Sequence, residues 1–169
     1  MAHGCDSRLR YNVAAMTTDA TALVTEFCAA FGNGKTPAEL VDYFAEDAVY
    51  HNIPVDPAVG HDAILALLNM FMGAIDRLEF QVRNIATVGD TVLTERVDVF
   101  HMANGGKIEL PVMGTFEVQD GKIAAWRDYF DLNQYMSQLQ NPSRASTTWN
   151  IAGSGRRDCR SASCRWDRG

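Results

Sequence analysis

The sequence predicts an α+β domain in which N-terminal helices pack across one curved sheet, mixed but mostly antiparallel, that forms a cone. Three observations carry this. Up to Ile75 the apolar residues recur at helical spacing, with one short strand between. From Leu78 to Leu132 they recur at every second position, in four runs. The joints between those runs, Gly89-Asp90, Asn104-Gly105-Gly106 and Asp120-Gly121, are tight hairpin signals. Helices first and an antiparallel meander after them make an α+β domain. The chain contains no internal repeat.

In order along the chain, Thr18 to Phe31 places Ala22, Leu23, Phe27, Ala30 and Phe31 on one helical stripe, stopped by Gly32 and Gly34. Thr36-Pro37-Ala38-Glu39 opens a second short helix. Thr36 is its cap, Pro37 its first residue, and Glu39 sits where a side chain can bond back to the cap. Ala48 to Ile53 is a short strand, closed by Pro54 and Pro57. His61 to Ile75, rich in Leu and Met, is a third helix. The strands Leu78–Val88, Thr91–Met102, Lys107–Val118 and Lys122–Leu132 follow, and a helical turn from Asn133 to Leu139 closes one end.

With 169 residues, 47% of them hydrophobic and 21% charged, the chain suits one packed domain. That domain is expected over residues 16–140, between a disordered leader (1–15) and a disordered Arg/Ser-rich tail (141–169). The tail holds six Arg and two Asp, so of the formal charge of −6 it carries +4 and the remainder −10. So acidic a domain is repelled by phosphate backbones, which argues against a nucleic-acid partner. No apolar run approaches the roughly 18 residues needed to span a bilayer, so no membrane partner is expected. The N-terminus has no apolar stretch of the secretory kind, which makes a cytoplasmic location the default. Of Cys5, Cys28, Cys159 and Cys164, only Cys28 lies in the patterned region, on an apolar helix face, as a buried thiol. Cys159 and Cys164 lack the paired spacing and neighbouring His of a zinc site, so no metal is expected.

The chemistry gathers on one face of the sheet. Along Thr91–Met102, alternation sets Val92, Thr94, Arg96, Asp98 and Phe100 together, and along the last strand Trp126, Asp128 and Phe130. Tyr50 and Asn52 share a face of the early strand. Two readings are open from spacing alone. Arg96 and Asp98 could form an ion pair on a solvated surface, or they could sit with Asp128 among the aromatics, where desolvation is costly unless the charges satisfy one another. Buried arrangements of the second kind concentrate at functional sites. His51 and His101 point to the opposite faces, and His61 opens a helix as a surface residue.

Tyr50-His51-Asn52, Thr94-Glu95-Arg96-Val97-Asp98 and Trp126-Arg127-Asp128-Tyr129-Phe130-Asp131, in that order, resemble the limonene-1,2-epoxide hydrolase family over roughly residues 17–140. That family belongs to the nuclear transport factor 2-like superfamily, whose curved sheet cups a deep pocket under helices. The resemblance implies cofactor-independent hydrolysis of a small-molecule epoxide by water to a vicinal diol. It implies Asp128 as ionised base, Asp98 as protonated acid, and Arg96 as the bridge between them. Tyr50 and Asn52 would hold the water for direct attack, without an ester intermediate. It implies a homodimer as well. The walls of such a pocket should be apolar and fit a terpene-like or alicyclic epoxide. Candidates are Leu78, Leu110, Val112, Met70, Phe71, Trp126 and Phe130, although core packing alone would account for the Met and Leu positions.

A free Asp titrates near pH ~3.9, and a neighbouring Arg lowers that further, whereas burial and a second carboxylate raise it. An Asp–Arg–Asp set therefore works as acid and base only if the two acids share one proton in an apolar pocket. Two rival functions remain on the same fold. One is a ketosteroid-isomerase-like or polyketide-cyclase-like enzyme that abstracts a carbon-bound proton. The other is a non-catalytic module that binds lipophiles or dimerises.

Overall fold

The computed structural model describes residues 13–140, with side chains from Ala20 onward. The tail assigned to 141–169 and the leader up to residue 12 lie outside the described residues. The first helix, α1 (Val13–Gly32), begins before the expected Thr18, so residues 13–15 belong to it rather than to a leader. Then come α2 (Pro37–Val41), β1 (Phe44–Asn52), β2 (Ala58–Val59), α3 (Gly60–Met72), β3 (Ile75–Val88), β4 (Thr91–Met102), β5 (Lys107–Gln119), β6 (Lys122–Tyr129) and α4 (Leu132–Gln140). Among the described residues no helix is long and apolar enough to cross a membrane.

The six strands form one sheet in the order β2-β1-β6-β5-β4-β3. Strands β3 to β6 make the expected antiparallel meander. Its last hairpin turns at Asp120 and Gly121, both with positive φ (50° and 73°), the backbone that matches the twist of the paired strands. Strand β1 adds parallel to β6, which makes the sheet mixed.

The differences from expectation have local causes. Strand β1 starts at Phe44, not Ala48, because its pairing with β6 is irregular between Phe44 and Val49 and breaks the period-two signal. Strand β2, pairing with Val49 and Tyr50, is too short to leave a pattern. Helix α3 stops at Met72 because Gly73 follows as its C-cap, so Ile75 begins a strand. Strand β6 ends at Tyr129 because Asp131 already caps α4, its Oδ1 accepting from the backbone N–H groups of Asn133 (2.8 Å) and Gln134 (3.2 Å). The capping box of α2 forms as read from the sequence, with Thr36 and Glu39 bonding each other's backbone.

The core lies between the helices and the concave face of the sheet. Helix α1 buries Ala20, Val24, Phe27, Cys28, Ala30 and Phe31, while Ala22, expected on that stripe, is exposed. The true stripe runs at steps of three and four from Ala20. Phe27, with no exposed surface, meets Phe31, Tyr43, Phe44, Phe116 and Trp126 with ring centroids 5.1–6.1 Å apart, mostly edge to face. His61 is half-buried rather than on the surface, its Nε2 3.1 Å from the Phe44 carbonyl oxygen. Replacing Phe27 removes the ring on which five others converge. Phe27→Ala is expected to cost about 3–5 kcal/mol, seen in urea unfolding as a lower midpoint with an unchanged slope.

Candidate active site

Register across the sheet assembles the site. Tyr50 pairs with Trp126 and Asn52 with Asp128 across the parallel β1–β6 ladder. Asp128 pairs with Gly114 on β5, and Gly114 with Thr94 on β4. Asp128, Gly114 and Thr94 therefore form one row on the concave face, with Arg96 one inward-facing step further along β4. Strands lie about 4.8 Å apart, so only a long side chain can cross from β4 to β6.

Arg96 makes that crossing. Its Nε donates to Asp98 Oδ1 at 2.7 Å, its Nη2 to Asp98 Oδ2 at 3.3 Å and also to Asp128 Oδ2. Nη1 donates to Thr94 Oγ1 at 3.3 Å. Arg96 is 1% exposed, Asp98 5% and Asp128 3%, which excludes the solvated ion pair. The guanidinium also lies 4.5 Å from the Phe80 ring centroid. Asp128 has a further partner, because the Trp126 indole Nε1–H donates to its Oδ1 at 2.6 Å. Tyr50 stacks on Trp126 at 4.0 Å and 8°, and its hydroxyl and the Asn52 side-chain amide bond each other at 3.0–3.2 Å.

Burial decides the electrostatics. An Arg with two ionised Asp would leave one uncompensated negative charge in an apolar surround, which is strongly unfavourable. Desolvation pushes Asp98 up from 3.8 to about 7, opposed by Arg96 and assisted by the Asp128 charge. Asp128 is also raised by burial, but Arg96 and the Trp126 N–H pull it back. Both carboxyls are thus pushed toward holding a proton, and with Arg96 charged a single proton on the pair would make the network neutral overall. Burial, first, and the charge of Asp128 raise the Tyr50 phenol well above its usual range, so it stays neutral. Burial also pushes the Cys28 thiol up to about 12, leaving it inert.

The network forms the floor of a cavity of about 500 Å³. Tyr50, Asn52, Asp98 and Asp128 line it, as do all seven proposed wall residues, Leu78, Leu110, Val112, Met70, Phe71, Trp126 and Phe130. Arg96 lies behind the lining, and Met70 is 64% exposed. Tyr135 on α4 closes one end, packed 5.6 Å from the Phe100 ring. Among the described residues no group of three His, Cys, Asp or Glu could hold a metal ion.

Sequence reasoning puts Thr94 on the right face without assigning it a role, and it misses lining residues such as Phe31, Phe80 and Tyr135 and, more importantly, Gly114. A Cβ at Gly114 would overlap Arg96 Nη1 and lie 2.6 Å from Thr94 Oγ1. The glycine is thus the gap in β5 through which the guanidinium reaches Asp128. A glycine inside an alternating strand is a signal for such close approach. His51 and His101 lie away from the cavity lining, and His101 meets Arg77 at 3.1 Å and Glu79 at 3.7 Å.

Two outcomes follow from this geometry. Gly114→Ala should destabilise the protein by about 1–3 kcal/mol by overpacking, measurable by urea unfolding. The raised Asp98 value has a definite sign. Its folded form holds the proton more strongly than the unfolded chain, so its stabilising contribution is complete below pH 3.8 and is lost as pH rises through about 7. The melting temperature should therefore decline across that window, and Asp98→Asn, neutral throughout, should flatten the decline. A melting temperature that rises through the window in both proteins would contradict the burial argument.

Comparison with known proteins places this geometry. A relative, epoxide hydrolase EphG of Mycobacterium tuberculosis (strain ATCC 25618 / H37Rv), is 36% identical over 87 residues, 52% of this chain and 57% of that protein. The match thus spans little more than half of that relative's length. A solved structure of an M. tuberculosis LEH-like epoxide hydrolase superposes with a TM-score of 0.65 and 32% identity, covering 76% of this chain and 95% of that one. A protein with a ketosteroid isomerase-like fold from Catenulispora acidiphila DSM 44928, in complex with trimethylamine, gives a TM-score of 0.63 at 22% identity over 72% of this chain and 95% of that one. That last likeness is one of fold alone. Residues 18–141 match the model of the limonene-1,2-epoxide hydrolase catalytic domain, and the chain belongs to that family.

Proposed function

We propose that this protein hydrolyses an apolar, terpene-like or alicyclic epoxide to a vicinal diol in one step, without a cofactor. The observation that carries this is the buried Asp98–Arg96–Asp128 network at the floor of an apolar cavity, beside the Tyr50–Asn52 pair. Family membership supports it as well. Opening an epoxide with water needs a base for the water and an acid for the departing oxygen, at the same moment.

In the proposed reaction, a water held by Tyr50, Asn52 and Asp128 gives a proton to Asp128 as its oxygen attacks an epoxide carbon. The C–O bond breaks, and Asp98 gives its proton to the departing oxygen. The product carries two hydroxyls, and the network is left with its proton on Asp128 and its net charge unchanged. Return of that proton to Asp98 closes the cycle. Arg96 stays charged throughout, since both carboxylates together hold its pKa above its usual value against the effect of burial. The apolar walls would orient the hydrocarbon body and exclude bulk water, which adds to the gain from positioning.

The chain is also proposed to work as a homodimer. Besides the family likeness, Leu93, Met113 and Tyr129 are 39–51% exposed on the outer face of the sheet, opposite the cavity.

The test is diol formation from limonene-1,2-epoxide and cyclohexene oxide. Asp128→Asn should lower the rate by about 10²–10⁴-fold, and a single turnover in ¹⁸O-water should place the label in the diol. Unlabelled first-turnover diol would indicate an ester intermediate and sink the direct-attack step. Absence of diol, with isomerisation of a ketosteroid instead, would favour the proton-abstraction alternative. Absence of both, with lipophile binding retained, would favour the binding module.

A further inference from the structure

Two acids bridged by one arginine raise the question of which keeps the shared proton. Counting the guanidinium bonds alone gives the wrong assignment for the proposed reaction, on which this inference rests. Asp98 receives two bonds from Arg96, at 2.7 and 3.3 Å, and Asp128 receives one. Charge-assisted bonds favour the ionised acceptor, so Arg96 by itself would make Asp98 the carboxylate and Asp128 the acid.

The remaining contact reverses this. The Trp126 indole Nε1–H lies 2.6 Å from Asp128 Oδ1, and an indole N–H donates but cannot accept. Protonating Asp128 would weaken this bond, because a neutral carboxyl is a poorer acceptor than a carboxylate. Asp128 Oδ2 already faces Arg96 Nη2, so both oxygens of Asp128 meet obligate donors. At Asp98 both oxygens also face Arg96, but Oδ2 only through a long 3.3 Å bond from Nη2, so a proton there costs less hydrogen bonding than one on Asp128. We propose that the Trp126 indole N–H is a positioning group that keeps the shared proton on Asp98 and so makes Asp128 the base.

The ring is fixed for this purpose. Trp126 is 1% exposed, with Tyr50 stacked 4.0 Å away, Phe116 at 5.5 Å and Phe27 edge-on at 5.1 Å. The other titratable groups within electrostatic reach of Asp128 are Arg96 and Asp98 on β4, Tyr50 on β1 and Cys28 on α1. Tyr50 and Cys28 are neutral at working pH, and none of the four differs in a variant that alters only the indole. Trp126 therefore has a role beyond that of an apolar wall.

Trp126→Phe keeps a stacking ring and deletes the N–H. It should lower kcat for diol formation by about ten- to a hundredfold while KM changes little. Because the lost bond favoured ionised Asp128, the low-pH limb of the kcat profile should move to higher pH. A fall in kcat with that limb unmoved would mean that the ring only packs, and would overturn the proposal, as would unchanged kcat. A second measurement stands even if that variant fails to fold. In ¹⁵N-tryptophan-labelled wild type, the Trp126 indole N–H resonance should lie downfield and titrate with the low-pH limb. It should lose its downfield position in Asp128→Asn and keep it in Asp98→Asn. A resonance flat across the limb would overturn the proposal. Absence of diol from the wild type would sink the hydrolase assignment instead, while the indole titration, which needs no substrate, would still report the proton's place.

Discussion

One guanidinium held between two carboxylates, all three buried, is the constraint that orders this structure. Neither Arg96 nor its two partners is more than 5% exposed, so each must find its hydrogen bonds within the fold. The requirement reaches outward strand by strand. A gap is needed in β5, and Gly114 is that gap. A neutral acceptor is needed for the far nitrogen, and Thr94 provides it. A flat apolar cover is needed over the cation, and Phe80 supplies one face of it. The parallel addition of β1 then sets Tyr50 and Asn52 beside Trp126 and Asp128, where no antiparallel hairpin would have brought them.

The same constraint explains why the site is poised to exchange protons. Full ionisation of both acids would strand a negative charge in an apolar cavity, whereas one shared proton makes the network nearly neutral. In the proposed function acid and base can then coexist at neutral pH although both are aspartates, because their surroundings differ rather than their chemistry. For the proposed hydrolysis this means that the proton inventory is the same before and after the step. The rest of the cavity is lined mainly by apolar side chains, so under the proposed function shape and apolar contact would hold the substrate, with its epoxide oxygen facing the network.

Much of this was legible from the sequence, for identifiable reasons. The period-two runs and the glycine joints located β3 to β6, because hairpins are encoded locally. The alternation of Arg96 with Asp98 and of Trp126 with Asp128 placed the charged and aromatic side chains on one face before any pairing was known. What stayed hidden depends on pairing between strands distant in sequence. The irregular start of β1 and the two-residue β2 exist only against their neighbours. Gly114 inside a strand signals a close approach, but what approaches is known only once the register sets it between Thr94 and Asp128. The bond from Trp126 to Asp128 needs a ring orientation that spacing does not reveal. On helix α1 the sequence suggests Ala22 where Val24 is the buried residue, because Ala22, Leu23 and Val24 are consecutive apolar residues and leave the stripe poorly marked.

The central claim is that two buried acids share a single proton near neutral pH. Its most direct test is ¹³C NMR of protein labelled at the aspartate carboxyl carbons, with Asp98 and Asp128 assigned by their Asn variants and titrated from pH 4 to 9. The account predicts that these two resonances move together as a coupled pair, with one proton retained until the pH approaches 7. If both carboxyls are already ionised at pH 5, burial has not raised them, and the account of the site is wrong.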